Sequence, residues 1–272
     1  MVPYRVRARN TAPDSDNKIH DDEVARRYGF SGGLVPGVVV HAYLCHPPAE
    51  QWGLDWVGGG TIRARFHRPV YDGGEVVIEP DGGIEGEDRH RLVARTAAAE
   101  EAATAEVGPP DPRGAAAVAS SVDLSRWEHR PAPAKAARPA ASEAAFAARP
   151  LLGALDCHFR SDLADRYLDA IGEALPLYRE EGVAHPGWLS AQANYVLAAN
   201  VVLGPWIHVE SEVRHLGLVH DGDLVSTRAV VVGTSQRGGH RFVELDVLIV
   251  NGTERPVARA RHVAIYEPRE PD

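Results

Sequence analysis

Polar and apolar residues alternate with a period of two through much of this chain. From Thr61 to Arg68, Ile62, Ala64 and Phe66 alternate with Arg63, Arg65 and His67, the pattern of a strand with one buried and one solvated face. Further strand-like segments follow at Glu75–Glu79 and Arg89–Thr96, then at Trp206–Arg214, Leu224–Val232, Arg241–Val250 and Val257–Tyr266. Each group is preceded by an apolar, helix-like run, Leu34–Tyr43 in one case and Ala184–Ala193 in the other. Asp72-Gly73-Gly74 and His220-Asp221-Gly222 supply turn residues between strands. One long helix followed by a meandering antiparallel sheet, twice over, predicts an α+β fold.

The repetition extends to single residues. Pro36-Gly37 opens the first helical run and Pro186-Gly187 the second, an offset of 150. Val70-Tyr71-Asp72-Gly73 corresponds to Val219-His220-Asp221-Gly222 at an offset of 149. Two landmarks at nearly one offset point to internal duplication. Between the copies, Pro109, Pro110, Pro112, Pro131, Pro133 and Pro139 stand among many alanines, which predicts an extended linker. The domains are therefore expected at 1–108 and 151–272, joined by a Pro/Ala-rich linker at 109–150.

Composition narrows the function classes. Of 272 residues, 44% are hydrophobic and 25% charged, the balance of a globular chain. With 29 basic and 38 acidic side chains the net charge is −9, which argues against nucleic acid or an anionic membrane surface as partner. Cys45 and Cys157 form no CxxC pair, no metal-ligand spacing is present, and no apolar run is long enough to span a bilayer. MVPYRVRARN has no apolar core of signal-peptide length, so the expected location is the cytoplasm. Neither a cofactor nor a metal is expected.

The stretch Asp14-Ser15-Asp16-Asn17-Lys18-Ile19-His20, with a helix-like Asp21–Tyr28 after it, resembles the MaoC-like acyl-thioester dehydratase and hydratase family. That family's motif runs glycine, aspartate, any residue, asparagine, proline, an aliphatic residue, histidine. Asn17, Ile19 and His20 match it, whereas Ser15 stands at the aspartate position and Lys18 at the proline. In the second half, Gly172-Glu173-Ala174-Leu175-Pro176-Leu177-Tyr178 resembles a decayed copy, with glutamate for aspartate, leucine for asparagine and tyrosine for histidine. The resemblance implies two fused hotdog domains acting on a coenzyme A or acyl-carrier-protein thioester. A fused pair already completes one hotdog dimer, and a homodimer of such double hotdogs is a further assembly the resemblance allows.

Hydrating an enoyl thioester needs a base for water, an acid for the α-carbon and donors for the carbonyl's growing charge. By the resemblance, His20 is the candidate base, Asp14 its preferred acidic partner, Asp16 the next, and Asn17 an orienting amide. At Pro36-Gly37 the free amides of Gly37 and Val38 would bind the thioester carbonyl. Each residue also has a plainer reading: Asp, Ser and Asn in a row form turns and caps, and Pro-Gly makes a tight helix start. Tyr178 lies eight residues before Pro186 but His20 sixteen before Pro36, so the second half is expected to lack the Asp21–Tyr28 helix and to have a more open groove. Hydratase or dehydratase is the leading function; a hotdog thioesterase and a non-catalytic acyl-thioester binder are the alternatives.

Overall fold

The computed structural model describes residues 1–83, 88–252 and 254–269. In the first half, β1 (Tyr4–Arg7) and α1 (Asp22–Arg27) precede the central helix α2 (Gly37–Gly59). Four strands follow: β2 (Thr61–Phe66), β3 (Glu75–Gly83), β4 (His90–Thr96) and β5 (Glu101–Gly108). The second half repeats the order with β6 (Leu155–His158), α5 (Ser161–Ile171), α6 (Leu177–Glu181), the central helix α7 (Pro186–Asn200) and β7 (Ile207–His215), β8 (Leu224–Arg237), β9 (His240–Asn251) and β10 (Pro256–Glu267).

All ten strands join one antiparallel sheet in the order β1-β3-β4-β5-β2-β7-β10-β9-β8-β6. Read from its centre outward, each half runs in the same order, so the two halves meet as pseudo-twofold copies. They meet where β2 pairs with β7, Ile62 opposite Val213 and Ala64 opposite Ser211. Inward residues of this ladder are buried while Arg63 and Glu210 pair at 3.0 Å on the outer face, as the period of two dictates. The duplication reaches single hydrogen bonds. Val35 N donates to Val70 O at 2.8 Å, and Ala184 N donates to Val219 O at 2.9 Å. This is a double hotdog, with α2 and α7 packed side by side on one sheet over a shared apolar core.

Helix α2 is broken at Gly53, whose φ of 59° and ψ of −146° no β-carbon tolerates easily. Segment 109–150 differs from the extended path that its prolines suggest. It forms α3 (Pro112–Ser121) and α4 (Glu143–Ala148), with single 3₁₀ turns at Leu124–Trp127 and Lys135–Ala137. The reason is local. Asp111 caps Gly114 N at 2.9 Å with Pro112 in the first turn, Ser142 caps Ala145 N at 3.1 Å, and alanine is the strongest helix former. Ala115, Ala119, Trp127 and Phe146 from this segment are buried. Among the described residues no helix is long and apolar enough to cross a membrane.

Candidate functional site

His20 closes a 3₁₀ turn, Lys18–His20, whose N-cap is Asn17. Asn17 is held at every polar atom of its side chain. Its Oδ1 accepts from Trp206 N at 3.1 Å and Ile19 N at 3.4 Å, while its Nδ2 donates to Trp206 O at 2.9 Å and reaches His20 Nε2 at 3.2 Å. Because Trp206 belongs to the second half, this amide bolts the His20 loop across the pseudo-dimer. Asn10 Nδ2 donates to the His20 carbonyl at 2.8 Å, and a β-carbon at Gly33 would collide with that same oxygen, so the loop packs too tightly for any other residue there.

His20 is half-buried and its protonation geometry is defined. Nδ1 donates to Leu34 O at 2.7 Å, which leaves Nε2 as the ring's acceptor facing Asn17. Burial lowers the His20 pKa, only partly offset by the hydrogen bond to Leu34 O. The imidazole is therefore neutral near pH 7 with its basic lone pair on Nε2.

Two cavities meet at this residue. An inner one of about 360 Å³ is walled mainly by apolar groups, among them Phe30, Val40, Phe66, Phe242 and Ile265. An outer one of about 900 Å³ runs past Asp14, Lys135, Arg138 and Tyr195. Asn17, His20, Pro36, Asn194 and Trp206 border both and form the neck between them. Pro36 is the N-cap of α2 and offers no side-chain acceptor to the first turn. The Gly37 and Val38 amides consequently have no intrahelical partner, and the helix dipole adds positive potential there. Gly37 lines the inner cavity, Val38 the outer.

Asp14 and Asp16 lie on the same loop but do not hydrogen-bond to His20. Asp14 is exposed along the outer cavity. The Asp16 side chain is 95% exposed and pairs with Lys135 at 3.3 Å. Ser15, at the aspartate position of the motif, turns back to donate to Asn17 O at 3.2 Å. Among the described residues, no carboxylate stands within hydrogen-bond reach of His20.

Two cavity residues carry no motif signal. Asn194 sits on the neck from α7. His208, on β7, is buried beside Gly37; burial, with His262 and His41 nearby, holds its pKa well below the ordinary value. Its Nε2 lies 2.8 Å from Ser211 Oγ, which lies 3.0 Å from His262 Nδ1. For Asn194 the one available hint was an amide within a largely apolar helix; β7 is polar along most of its length and gave none for His208.

In the second half the corresponding helix start is plugged rather than more open. Nδ1 of His185 accepts from Gly187 N at 2.9 Å, occupying the amide that matches Gly37. The other nitrogen, Nε2, faces Glu173 Oε2 at 3.5 Å. Behind it Glu173 is 5% exposed and accepts from His46 Nδ1 at 2.9 Å and Leu175 N at 2.7 Å. Burial alone would raise the Glu173 pKa, but the close approach of His185 and the hydrogen bond from His46 outweigh it and hold the group far below the usual carboxylate range. Tyr178 packs 4.5 Å from the His185 ring and Tyr4 stacks on His46 at 3.6 Å. The expected gap is also filled, because α6 starts at Leu177, inside the decayed motif, and runs on toward α7.

No family model matches the chain, and no curated protein does. Solved structures match along its length. A MaoC-like dehydratase shares 15% identity over 97% of this chain and 98% of its own, with a TM-score of 0.57. A conserved hypothetical protein from Mycobacterium tuberculosis, described as having a double hotdog fold, shares 18% over 97% and 95%, with a TM-score of 0.54. A Novosphingobium aromaticivorans protein described as a thioesterase shares 11% over 97% and 95%, with a TM-score of 0.53. At these identities the likeness is one of fold, the double hotdog described for the Mycobacterium tuberculosis protein.

Proposed function

We propose that the chain adds water to an enoyl thioester, or removes it from a 3-hydroxyacyl thioester, at one site in its N-terminal half. The observation that carries this reading is the neck: a neutral imidazole whose basic Nε2 meets the Asn17 amide at 3.2 Å, beside an uncapped helix start, between an apolar chamber and a wider outer groove. The acyl group would enter the inner cavity and the pantetheine arm of coenzyme A or a carrier protein would lie in the outer one. The thioester oxygen would accept from the Gly37 and Val38 amides, which stabilise the enolate as charge develops.

His20 serves as base and then acid. Water takes the place of the Asn17 Nδ2 contact at Nε2, which then accepts a proton from it as the oxygen bonds to Cβ, the π electrons pass to the carbonyl oxygen, and the imidazolium returns that proton to Cα. Atoms and charges close without a second titratable group, so the outward Asp14 and Asp16 do not prevent the chemistry. With Gly187 occupied by His185, the second half has no open counterpart.

The test is His20→Ala against the intact protein with a trans-2-enoyl coenzyme A, following enoyl absorbance and free thiol in parallel. Loss of enoyl absorbance by the intact protein, at least about 100-fold slower in the variant, is the expected result. Thiol release in its place identifies a thioesterase, and binding without either product a non-catalytic carrier. Undiminished hydration by His20→Ala overturns the role of His20.

A further inference from the structure

The inner cavity has a far side as well as a neck. Ile207, Ile265 and Phe242 stand in one row across β7, β10 and β9. Neighbouring strands lie about 4.8 Å apart, so Phe242 is about 10 Å from the β7 end that follows Trp206 at the neck. Away from the neck the lining changes character. His67 and Arg68 are exposed, and His240 and Phe242 half-buried, so the cavity reaches solvent again there.

Charge at this second mouth is cationic in a chain whose net charge is −9. Among the described residues, Arg68 is the one side chain with a fixed charge that borders the inner cavity, and no carboxylate does. The β8–β9 hairpin brings a second cation. Its turn, Gly238-Gly239, has φ of 57° and 82°, which glycine adopts without steric cost, and it sets Arg237 opposite His240 and Ser235 opposite Phe242. Arg237 consequently lies diagonal to Phe242, with its guanidinium 4.5 Å from the ring centre. The chain after β10 adds a third cation. Arg269 N donates to His240 Nδ1 at 3.0 Å, and its side chain runs along Gly239, where a β-carbon would meet Arg269 Cδ at 2.7 Å. Arg68 pairs with Glu100 at 3.0 Å and Arg241 with Glu267 at 3.2 Å. Arg237 and Arg269 are exposed, and neither pairs with a carboxylate among the described residues.

Single surface arginines are ordinary. These stand where an apolar slot ends, and one of them rests on the slot's own phenylalanine. A ligand suited to both features is a hydrocarbon chain with an anion at its far end. A plain chain would fill the slot but leave the guanidinium donors to water. We propose that the acyl group carries a carboxylate at its far end, held at this second mouth by Arg237 and Arg68, so that the substrate is the thioester of a dicarboxylic acid. This rests on the placing of the acyl group in the inner cavity. The forked N–H donors of a guanidinium match a carboxylate, and the contact with Phe242 holds that of Arg237 in place beforehand. A chain of about ten carbons spans the roughly 10 Å from the neck to Phe242.

Two thioethers of coenzyme A, S-decyl and S-(9-carboxynonyl), test this by calorimetry on the full chain. The carboxylated one should bind about tenfold or more tightly. The double variant Arg68→Gln with Arg237→Gln, its fold verified by a thermal melt, should lose that preference and keep its Kd for S-decyl coenzyme A within about twofold. Equal binding of the two thioethers by the intact protein overturns the proposal, as does a preference that survives in the double variant. Equal weakening of both thioethers in the double variant overturns it too, because the phosphates of coenzyme A would then occupy this mouth. Neither probe has an enoyl group or a thioester, so the readout is independent of turnover. Hydration of trans-2-decenoyl coenzyme A without any thioether preference defeats the dicarboxylic reading alone. A thioether preference that needs the two arginines, with no hydration of either the plain or the carboxylated enoyl thioester, supports the anion site and defeats the hydration reading alone.

Discussion

Acidification should destabilise this fold well before its carboxylates protonate. His41, His215 and His262 are fully buried, and burial holds their pKa values at about 3, about 4 and about 3 against an ordinary 6.5, with neighbouring histidines adding to the effect at His41 and His215. All three are neutral in the folded protein, while the unfolded chain binds a proton at each below pH 6.5. Stability is thus full above pH 6.5 and is lost as pH falls from there toward the folded values. At pH 5 the unfolded chain gains about 1.5 units of proton affinity at each site, about 2 kcal/mol, and the three together make about 6 kcal/mol. Natural folds hold only about 5–15 kcal/mol in total. Glu173 acts in the same direction but only below the ordinary carboxylate range, so it does not blur the window. Urea unfolding followed by circular dichroism at pH 7.5, 6.5, 5.5 and 5.0 should give a midpoint that falls steeply below 6.5, with at least three protons taken up on unfolding near pH 5, since the buried His208 and His185 shift in the same direction. A flat midpoint across that range, or NMR titrations of these rings near 6.5, refutes the reasoning.

Two further perturbations probe the two helix starts. In Gly37→Ala the new β-carbon meets His208 Nδ1 at 3.0 Å and the His208 carbonyl at 3.1 Å, so the β7 backbone must yield. Crowding of this kind costs about 1–3 kcal/mol and narrows the inner cavity, and turnover should fall at least about tenfold with only a few degrees lost in a melt. A variant as active as the parent contradicts the placing of the thioester carbonyl at Gly37. At the plugged start, Glu173→Ala strands the buried His46 N–H and the Leu175 amide, and denaturant titration should show a loss of about 3–5 kcal/mol. Glu173→Gln keeps an acceptor and should lose less; equal losses in the two variants would mean that packing, not hydrogen bonding, is what Glu173 provides.

Features fixed by neighbouring residues were legible in the sequence. The Pro-Gly helix starts, the Asp-Gly turns and the alternating strands depend on backbone chemistry within a few positions, so duplication and fold class could be read directly. The helices of segment 109–150 were hidden because prolines between them dominated the pattern, although each helix has its own cap and alanine run. The direction of a loop carboxylate was not readable at all. Asp14, Ser15 and Asp16 lie within three residues of Asn17, yet the loop's direction depends on Lys135 against Asp16 and Trp206 against Asn17, partners 119 and 189 residues away. The plug was equally invisible, since Glu173 needs His46 from 127 residues away.

These distant contacts explain why the chain retains a buried charge where it has no open site. A buried carboxylate is costly unless fully paired, and an apolar filling would serve packing as well. The partners of Glu173, however, come from both halves: His46 on α2 with Tyr4 stacked on it from β1, and His185 at the start of α7. Hydrogen bonds are directional where apolar packing is not, so the cluster sets how α7 lies against α2 as well as how tightly. That setting matters at the opposite end of the pseudo-twofold relation, where α7 brings Asn194 to the neck and Trp206 fixes Asn17 beside His20. On this view the second helix start gave up its ligand to become the anchor of the first. The asymmetry between the halves is then one structural device, with the plug holding in register the residues that border the open neck.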